Sequence, residues 1–143
     1  MPMDTSPANP GTPDRPDGLS MLGRPVRTDE YGRLELFEVA SPVRVTFRTD
    51  ELQALCPAVE GIQPDIYAAE IAYTAVTRAV ESKSLKLWLV TFRDRRIFAE
   101  HLAVEIHDTL AALGPAVADV SVRLTQGSRG GIVTVVEHPV PRP

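Results

Sequence analysis

From Val43 the chain alternates, with Val43, Val45 and Phe47 apolar and Arg44, Thr46 and Arg48 polar. A period of two marks a strand with one buried face. Just before it, Leu34-Glu35-Leu36-Phe37-Glu38-Val39 reads as a short strand. The run from Ile66 to Thr74 reads as another, diluted by alanine, a weak strand former. Then the period changes. Leu85, Trp88, Leu89 and Phe92 fall at helical spacing between Ser82 and Phe92 and make one apolar stripe. Phe98, Leu102, Ile106, Leu110 and Leu113 make a similar stripe over Ile97 to Leu113, which Gly114-Pro115 stops. Val120, Val122 and Leu124 restore the alternation, Gly130-Gly131 breaks it, and Ile132 to Val136 is a final β-branched run. The proline-rich end from His138 is expected to fray. This order, ββααββ, predicts an α+β domain: an antiparallel four-stranded sheet with two helices packed on one face. No internal repeat is visible.

Residues 1–32 show neither period and are rich in Pro, Gly, Asp, Ser and Thr. They read as a disordered tail, with an arm over a neighbouring subunit as the alternative. Residues 33–143 then form one domain. Such a sheet has two open edges and a small core, so assembly of identical copies is expected.

Composition adds exclusions. Among 143 residues, 43% are hydrophobic and 24% charged, ordinary values for a globular domain. A net charge of -4 does not favour nucleic acid or an anionic membrane. No apolar run approaches the roughly 18 residues of a membrane helix, and the start lacks the pattern of a secretory signal. The one cysteine, Cys56, excludes an internal disulfide and zinc sites with several cysteines of one chain, so the cytoplasm is the expected compartment and no metal is expected.

Cys56 stands in a loop, Cys56-Pro57-Ala58-Val59-Glu60-Gly61-Ile62-Gln63-Pro64-Asp65. A lone cysteine is often a buried small hydrophobe. A loop between strands is also where reactive groups are displayed. A thiol beside the carboxyl of Asp65 could attack an electrophilic carbon while the carboxyl handles protons, though an aspartate after proline is equally a turn residue. Glu81-Ser82-Lys83-Ser84-Leu85-Lys86 suits a helix start, with Ser82 as the cap and Glu81 at the positive end of the dipole. Its lysines are either a solvated face or ligands for phosphate, and Arg129 beside Gly130-Gly131 could add a further cation. Glu100 could accept paired hydrogen bonds from a purine-like ring or be a surface residue. His107 and His138 read as structural or surface residues.

Together these segments resemble the QueF family, the NADPH-dependent 7-cyano-7-deazaguanine reductases of queuosine biosynthesis, a tRNA modification pathway. Leu55-Cys56-Pro57, Gln63-Pro64-Asp65, Val80 to Leu87, Phe92-Arg93, Phe98 with Glu100, and Arg129-Gly130-Gly131 carry the resemblance, which spans about Val43 to Pro139. It implies the tunnelling fold, shared with GTP cyclohydrolase I. It implies that Cys56 attacks the nitrile carbon to form a thioimide, with Asp65 moving protons, and that two hydrides from NADPH give the 7-aminomethyl product. Val80, Glu81, Ser82, Phe98, Ala99 and Glu100 would line the substrate pocket, and Lys83, Lys86 and Arg129 would hold NADPH. Sites would form between subunits of a five-membered ring or its stacked pair.

Two departures stand out. The family pattern has two fewer residues between the cysteine and the aspartate. It also has phenylalanine-histidine-glutamate where this chain has Phe98-Ala99-Glu100-His101. His101 lies about 200° around a helix from position 99. The competing expectations are a thioimide with another fate, as in amidine formation or a deazapurine natural-product pathway, and a non-catalytic deazapurine- or pterin-binding protein.

Overall fold

The computed structural model describes residues 18–27 and 30–143. Its elements are β1 (Leu36–Glu38), β2 (Val43–Leu55), β3 (Pro64–Ala75), β4 (Arg78–Val80), α1 (Ser82–Val90), α2 (Ala99–Ala111), β5 (Val117–Arg129) and β6 (Ile132–His138). The main sheet runs β2-β3-β5-β6, antiparallel throughout, and β1 pairs with β4 in a separate two-stranded ribbon. Both helices sit between β3 and β5 in sequence, so the main sheet keeps the ββααββ order read from periodicity.

Alternation ended too early as a guide to β2, for a specific reason. The pairing of β2 with β3 shifts between Thr49 and Leu52. An irregularity there changes which parity faces the core. Val45 and Phe47 are the inward residues before the shift, and Leu52 and Ala54 after it. The strand therefore continues straight through a break in its own pattern. At the other end of the sheet, Arg129 pairs with Ile132 across Gly130-Gly131, whose φ values are 56° and 81°. Two consecutive positive φ angles are those of a type I′ hairpin turn, which glycine adopts without strain. The short β4 had no legible pattern.

The helices cover one face of the sheet. Leu102, Ile106 and Leu110 of α2 and Leu85, Trp88 and Leu89 of α1 meet Tyr67, Ala69, Ile71, Tyr73, Val122 and Leu124 in one buried cluster. Each fully buried Leu or Ile contributes about 1.5–3 kcal/mol relative to exposure. The expected stripe is corrected at Phe98, which stands half exposed before α2, its place taken by Ala99 and Ala103. Phe92 lies beyond α1 but is buried, edge-on to Trp88 with ring centroids 5.4 Å apart.

A disordered tail as far as residue 32 does not describe residues 18–27 and 30–32; the first seventeen residues lie outside those described. Leu19 and Met21 are buried, Met21 completely. The buried Glu35 carboxylate accepts the Ser20 amide at 2.9 Å, the Ser20 hydroxyl and the Met21 amide at 3.3 Å. Burial pushes the Glu35 carboxyl up. The Ser20 and Met21 hydrogen bonds and the Arg33 charge outweigh it, and the net shift is downward. Two apolar side chains in a polar stretch are too few to make a period, yet enough to dock it.

Candidate active site

The loop after β2 is built tightly. Leu55 pairs with Pro64 and Ala54 with Asp65, so the loop starts and ends on adjacent strands. The Cys56 amide donates to the Gln63 carbonyl at 2.9 Å and closes it. Gly61 has φ +84°, a left-handed conformation inside the turn. Arg96 spans the loop, donating to the carbonyls of Cys56 at 3.3 Å, Val59 at 3.2 Å and Gly61 at 2.7 Å. Arg96 is itself held because its two neighbours bracket Leu55: the Leu55 amide donates to Arg95 at 2.8 Å and the Ile97 amide to Leu55 at 3.2 Å. The two additional residues are thus absorbed in the loop, and the strand register still sets Asp65 beside the start of it.

The Asp65 side chain is buried on the helix-facing side of β3. Arg129 Nη2 lies 3.3 Å from its Oδ1 and also donates to the Pro64 carbonyl. Two residues on, Tyr67 points to the same side and is only 1% exposed. Its hydroxyl is buried and has no hydrogen-bond partner. Its ionisation is pushed up to about 12, by burial first and then by the negative charges of Asp65, Glu100 and Cys56, against the opposing pull of Arg129. The charges that act on the Tyr67 hydroxyl come from the loop after β2, from β3, from α2 and from β5. Glu100 is exposed in the first turn of α2, where a carboxylate suits the helix dipole. Phe98, 46% exposed, meets the His101 ring edge-on at 6.4 Å. Ala99 is buried in the core, while His101 is exposed and on a different side of the helix.

A second group lies elsewhere. Glu81, and not Ser82, caps α1: its carboxylate accepts the Lys83 amide at 2.7 Å and the Ser84 amide at 2.8 Å. The longer glutamate side chain reaches both orphan amides from a buried position, and Ser82 is left exposed. Ser84, fully buried, donates to the Glu81 carbonyl at 2.8 Å and accepts the Glu35 amide at 3.0 Å. Val80 is buried in β4, its amide donating to the Tyr73 hydroxyl at 2.8 Å. The Lys83 ammonium donates to the Arg24 carbonyl of the N-terminal segment. Ser82 and Lys86 line a cavity of about 350 Å³ with Phe47, Arg48, Leu85 and Arg93. Lys86, Arg48 and Arg93 are cations at an apolar-walled opening, a donor set that suits an anionic cofactor with a flat ring.

The structure thus divides the residues expected in one site. Cys56, Asp65, Glu100 and Arg129 come together, with Phe98 and Ala99 at the start of the same helix as Glu100. Val80, Glu81, Ser82, Lys83 and Lys86 do not join them. Val80 sits against Tyr73, and eight residues of β3 separate Tyr73 from Asp65, roughly 27 Å at the rise of an extended strand. Arg129, expected to hold NADPH with Lys83 and Lys86, stands within its own chain on Asp65. Two residues escaped the sequence reading. Tyr67 had a signal, since it is two positions from Asp65 on one strand; Arg96 had none. The fold also brings His107 and His138 edge to face at 4.5 Å, with the Asp108 carboxylate 2.9 Å from His107 Nδ1.

The chain matches the profile of the QueF-like protein family over residues 64–142. It is 37% identical over 129 residues to the NADPH-dependent 7-cyano-7-deazaguanine reductase of Syntrophus aciditrophicus, covering 87% of this chain and 88% of that protein. This chain belongs to the QueF-like family. Another member, the protein of the same name from Frankia casuarinae, is 41% identical over 118 residues, covering 80% of this chain and 89% of its own length. Among solved structures, the apo archaeosine synthase QueF-Like superposes with a TM-score of 0.52 at 22% identity, over 73% of this chain and all of that one. That likeness is one of fold, and it agrees with the tunnelling fold expected for a QueF-like chain. Among the described residues, no helix is long and apolar enough to cross a membrane.

Proposed function

We propose that this protein reduces the nitrile of 7-cyano-7-deazaguanine to the aminomethyl group, with NADPH as reductant. The observation that carries the reading is that the Cys56 loop closes on Gln63, two residues before the buried Asp65 that Arg129 holds, in a QueF-like chain. Relatives at 37% and 41% identity bear the reductase name.

The chemistry follows from the residue types. Cys56 sulfur adds to the nitrile carbon; an S–C bond forms and the triple bond becomes a C=N bond. Asp65 takes the thiol proton and returns it to nitrogen, giving the neutral thioimide. Arg129 holds the Asp65 carboxylate in place, and the buried position of that carboxylate keeps water from the proton transfer. Glu100 accepts the ring N–H and amino hydrogens of the base, and Phe98 packs on its plane. Two NADPH molecules in turn, held by Lys83 and Lys86 with Arg48 and Arg93 at the cavity mouth, would each supply one hydride, and these with two protons would complete the aminomethyl group and free the thiol. Amidine formation and simple binding are not favoured, since the likeness to the archaeosine synthase is of fold at 22% identity.

We further propose that the working site is shared between copies. Within one chain Val80, just before the cap of α1, sits against Tyr73 at the far end of β3, roughly 27 Å along the strand from Asp65. Among the described residues β2 and β6 are the edge strands of the main sheet, β2 bridged only at Leu55 to Arg96, and Ile132, Val133 and Val135 on β6 are exposed. Edge pairing with a neighbour would cover them and bring the lysine segment of one copy to the thiol of the next.

The test is intact-mass measurement of the protein mixed with 7-cyano-7-deazaguanine, followed by addition of NADPH. A Cys56 adduct that NADPH discharges to the aminomethyl product supports the reading. An adduct that survives NADPH, or none at all, overturns it.

A further inference from the structure

Tyr67 stands out among the buried polar groups. Of the buried side-chain polar atoms among the described residues, its hydroxyl is the one left without a hydrogen bond. A buried hydroxyl with no partner is disfavoured, and nearly all such groups in folded proteins are satisfied. Asp65, which Arg129 holds, is the neighbour of Tyr67 on the same face of β3, and the charges of Cys56, Glu100 and Arg129 also act on its ionisation. Asp65 and Tyr67 are alternate residues on one face of β3, about 6.7 Å apart along the strand. The Asp65 carboxylate is turned to Arg129, so it leaves the phenol unpaired. Ala99, buried at the start of α2, brings no polar side-chain atom to this corner.

We propose that the Tyr67 hydroxyl is a catalytic hydrogen-bond donor, aimed at the nitrile nitrogen of the substrate as Cys56 adds to the carbon. This rests on the nitrile reductase reading above. As the S–C bond forms, electron density moves onto nitrogen, and a donor fixed in a dry site stabilises that charge without reorganising. Burial and the surrounding carboxylates keep the phenol protonated through the physiological range. It therefore donates a hydrogen bond and keeps its proton; the proton that ends on nitrogen is the one Asp65 took from the thiol. The enclosed hydroxyl has no partner to give up in the free protein, so once the side chains over it part for substrate the new bond replaces none.

The experiment compares wild-type protein with Tyr67→Phe, following the rate of adduct formation with 7-cyano-7-deazaguanine by mass. Phenylalanine keeps the ring and removes only the unpaired hydroxyl, so the melting temperature should hold or rise. The adduct should form roughly 100-fold more slowly, as for loss of one donor to a developing anion. Substrate affinity, measured in the Cys56→Ala background with and without Tyr67→Phe, should change less than about threefold, because the bond strengthens only as charge develops. An adduct rate equal to wild type would overturn the role of Tyr67 while leaving the reductase reading intact. An affinity loss as large as the rate loss would also overturn it, since the hydroxyl would then serve ground-state binding alone. A wild-type protein that forms no adduct overturns the reading and the proposal together. Should Tyr67→Phe fail to fold, Tyr67→3-fluorotyrosine decides: its more acidic phenol is a stronger donor and should speed adduct formation, and an unchanged rate refutes the proposal.

Discussion

Two inactive variants should restore each other. Cys56→Ala removes the nucleophile. Lys83→Ala with Lys86→Ala removes two cations of α1, the helix whose start follows Val80 at the Tyr73 end of β3, away from Asp65. Each charged contact to an anionic cofactor is worth about 1.5–3 kcal/mol, so losing both should lower NADPH affinity by about 10² to 10⁴-fold. Neither protein alone should oxidise NADPH at working concentrations. If each site takes its thiol from one copy and its lysines from the next, mixed assemblies contain intact sites. With one-to-one random assortment, about one quarter of the junctions pair two intact halves. The mixture, dissociated and reassembled together, should therefore recover about a quarter of wild-type turnover, read as NADPH consumption. Differently tagged subunits that co-purify show that mixing occurred. Mixed assemblies with no more activity than the two variants separately would refute a shared site and would require one chain to bring its two ends together.

The remaining predictions concern the elements that hold the site. Glu81→Ala removes a cap that accepts two backbone amides; it should cost about 2–3 kcal/mol and move the urea midpoint down by about 1–2 M at fixed protein concentration, and an unchanged midpoint would show that the cap is idle. Glu35 has its carboxyl held below the ordinary 4.5, so its contribution is present above that value and lost as pH falls through the lower folded value. Amide exchange protection at Ser20 and Met21 should accordingly be high at neutral pH, fall in acid, and be lost at every pH in Glu35→Ala, which removes the acceptor oxygens; equal protection in that variant at neutral pH would exclude the carboxylate as the latch.

The hydrophobic pattern by itself determined the class of this fold. Alternation around Val43–Phe47 and Val120–Leu124, with helical stripes between, leaves one economical way to bury all the apolar faces. Cys56, Asp65 and the lysine segment each had an ordinary structural reading by residue type, and it was the combination of their motifs, through its resemblance to a family, that made them legible as chemistry. What periodicity could not carry were features that depend on neighbours distant in sequence. The β2 irregularity reverses the inward parity at Leu52, and only the pairing with β3 shows it. Leu19 and Met21 are isolated apolar residues until Glu35 gives their segment an anchor. Glu81 became the cap, in place of Ser82, because only the folded chain sets its carboxylate within reach of two amides. Arg129 reads as one more cation in the sequence; the hairpin at Gly130-Gly131 turns it onto Asp65. Tyr67 reads as an ordinary inward strand residue, and its meaning lies in the absence of a partner, which only tertiary packing can decide.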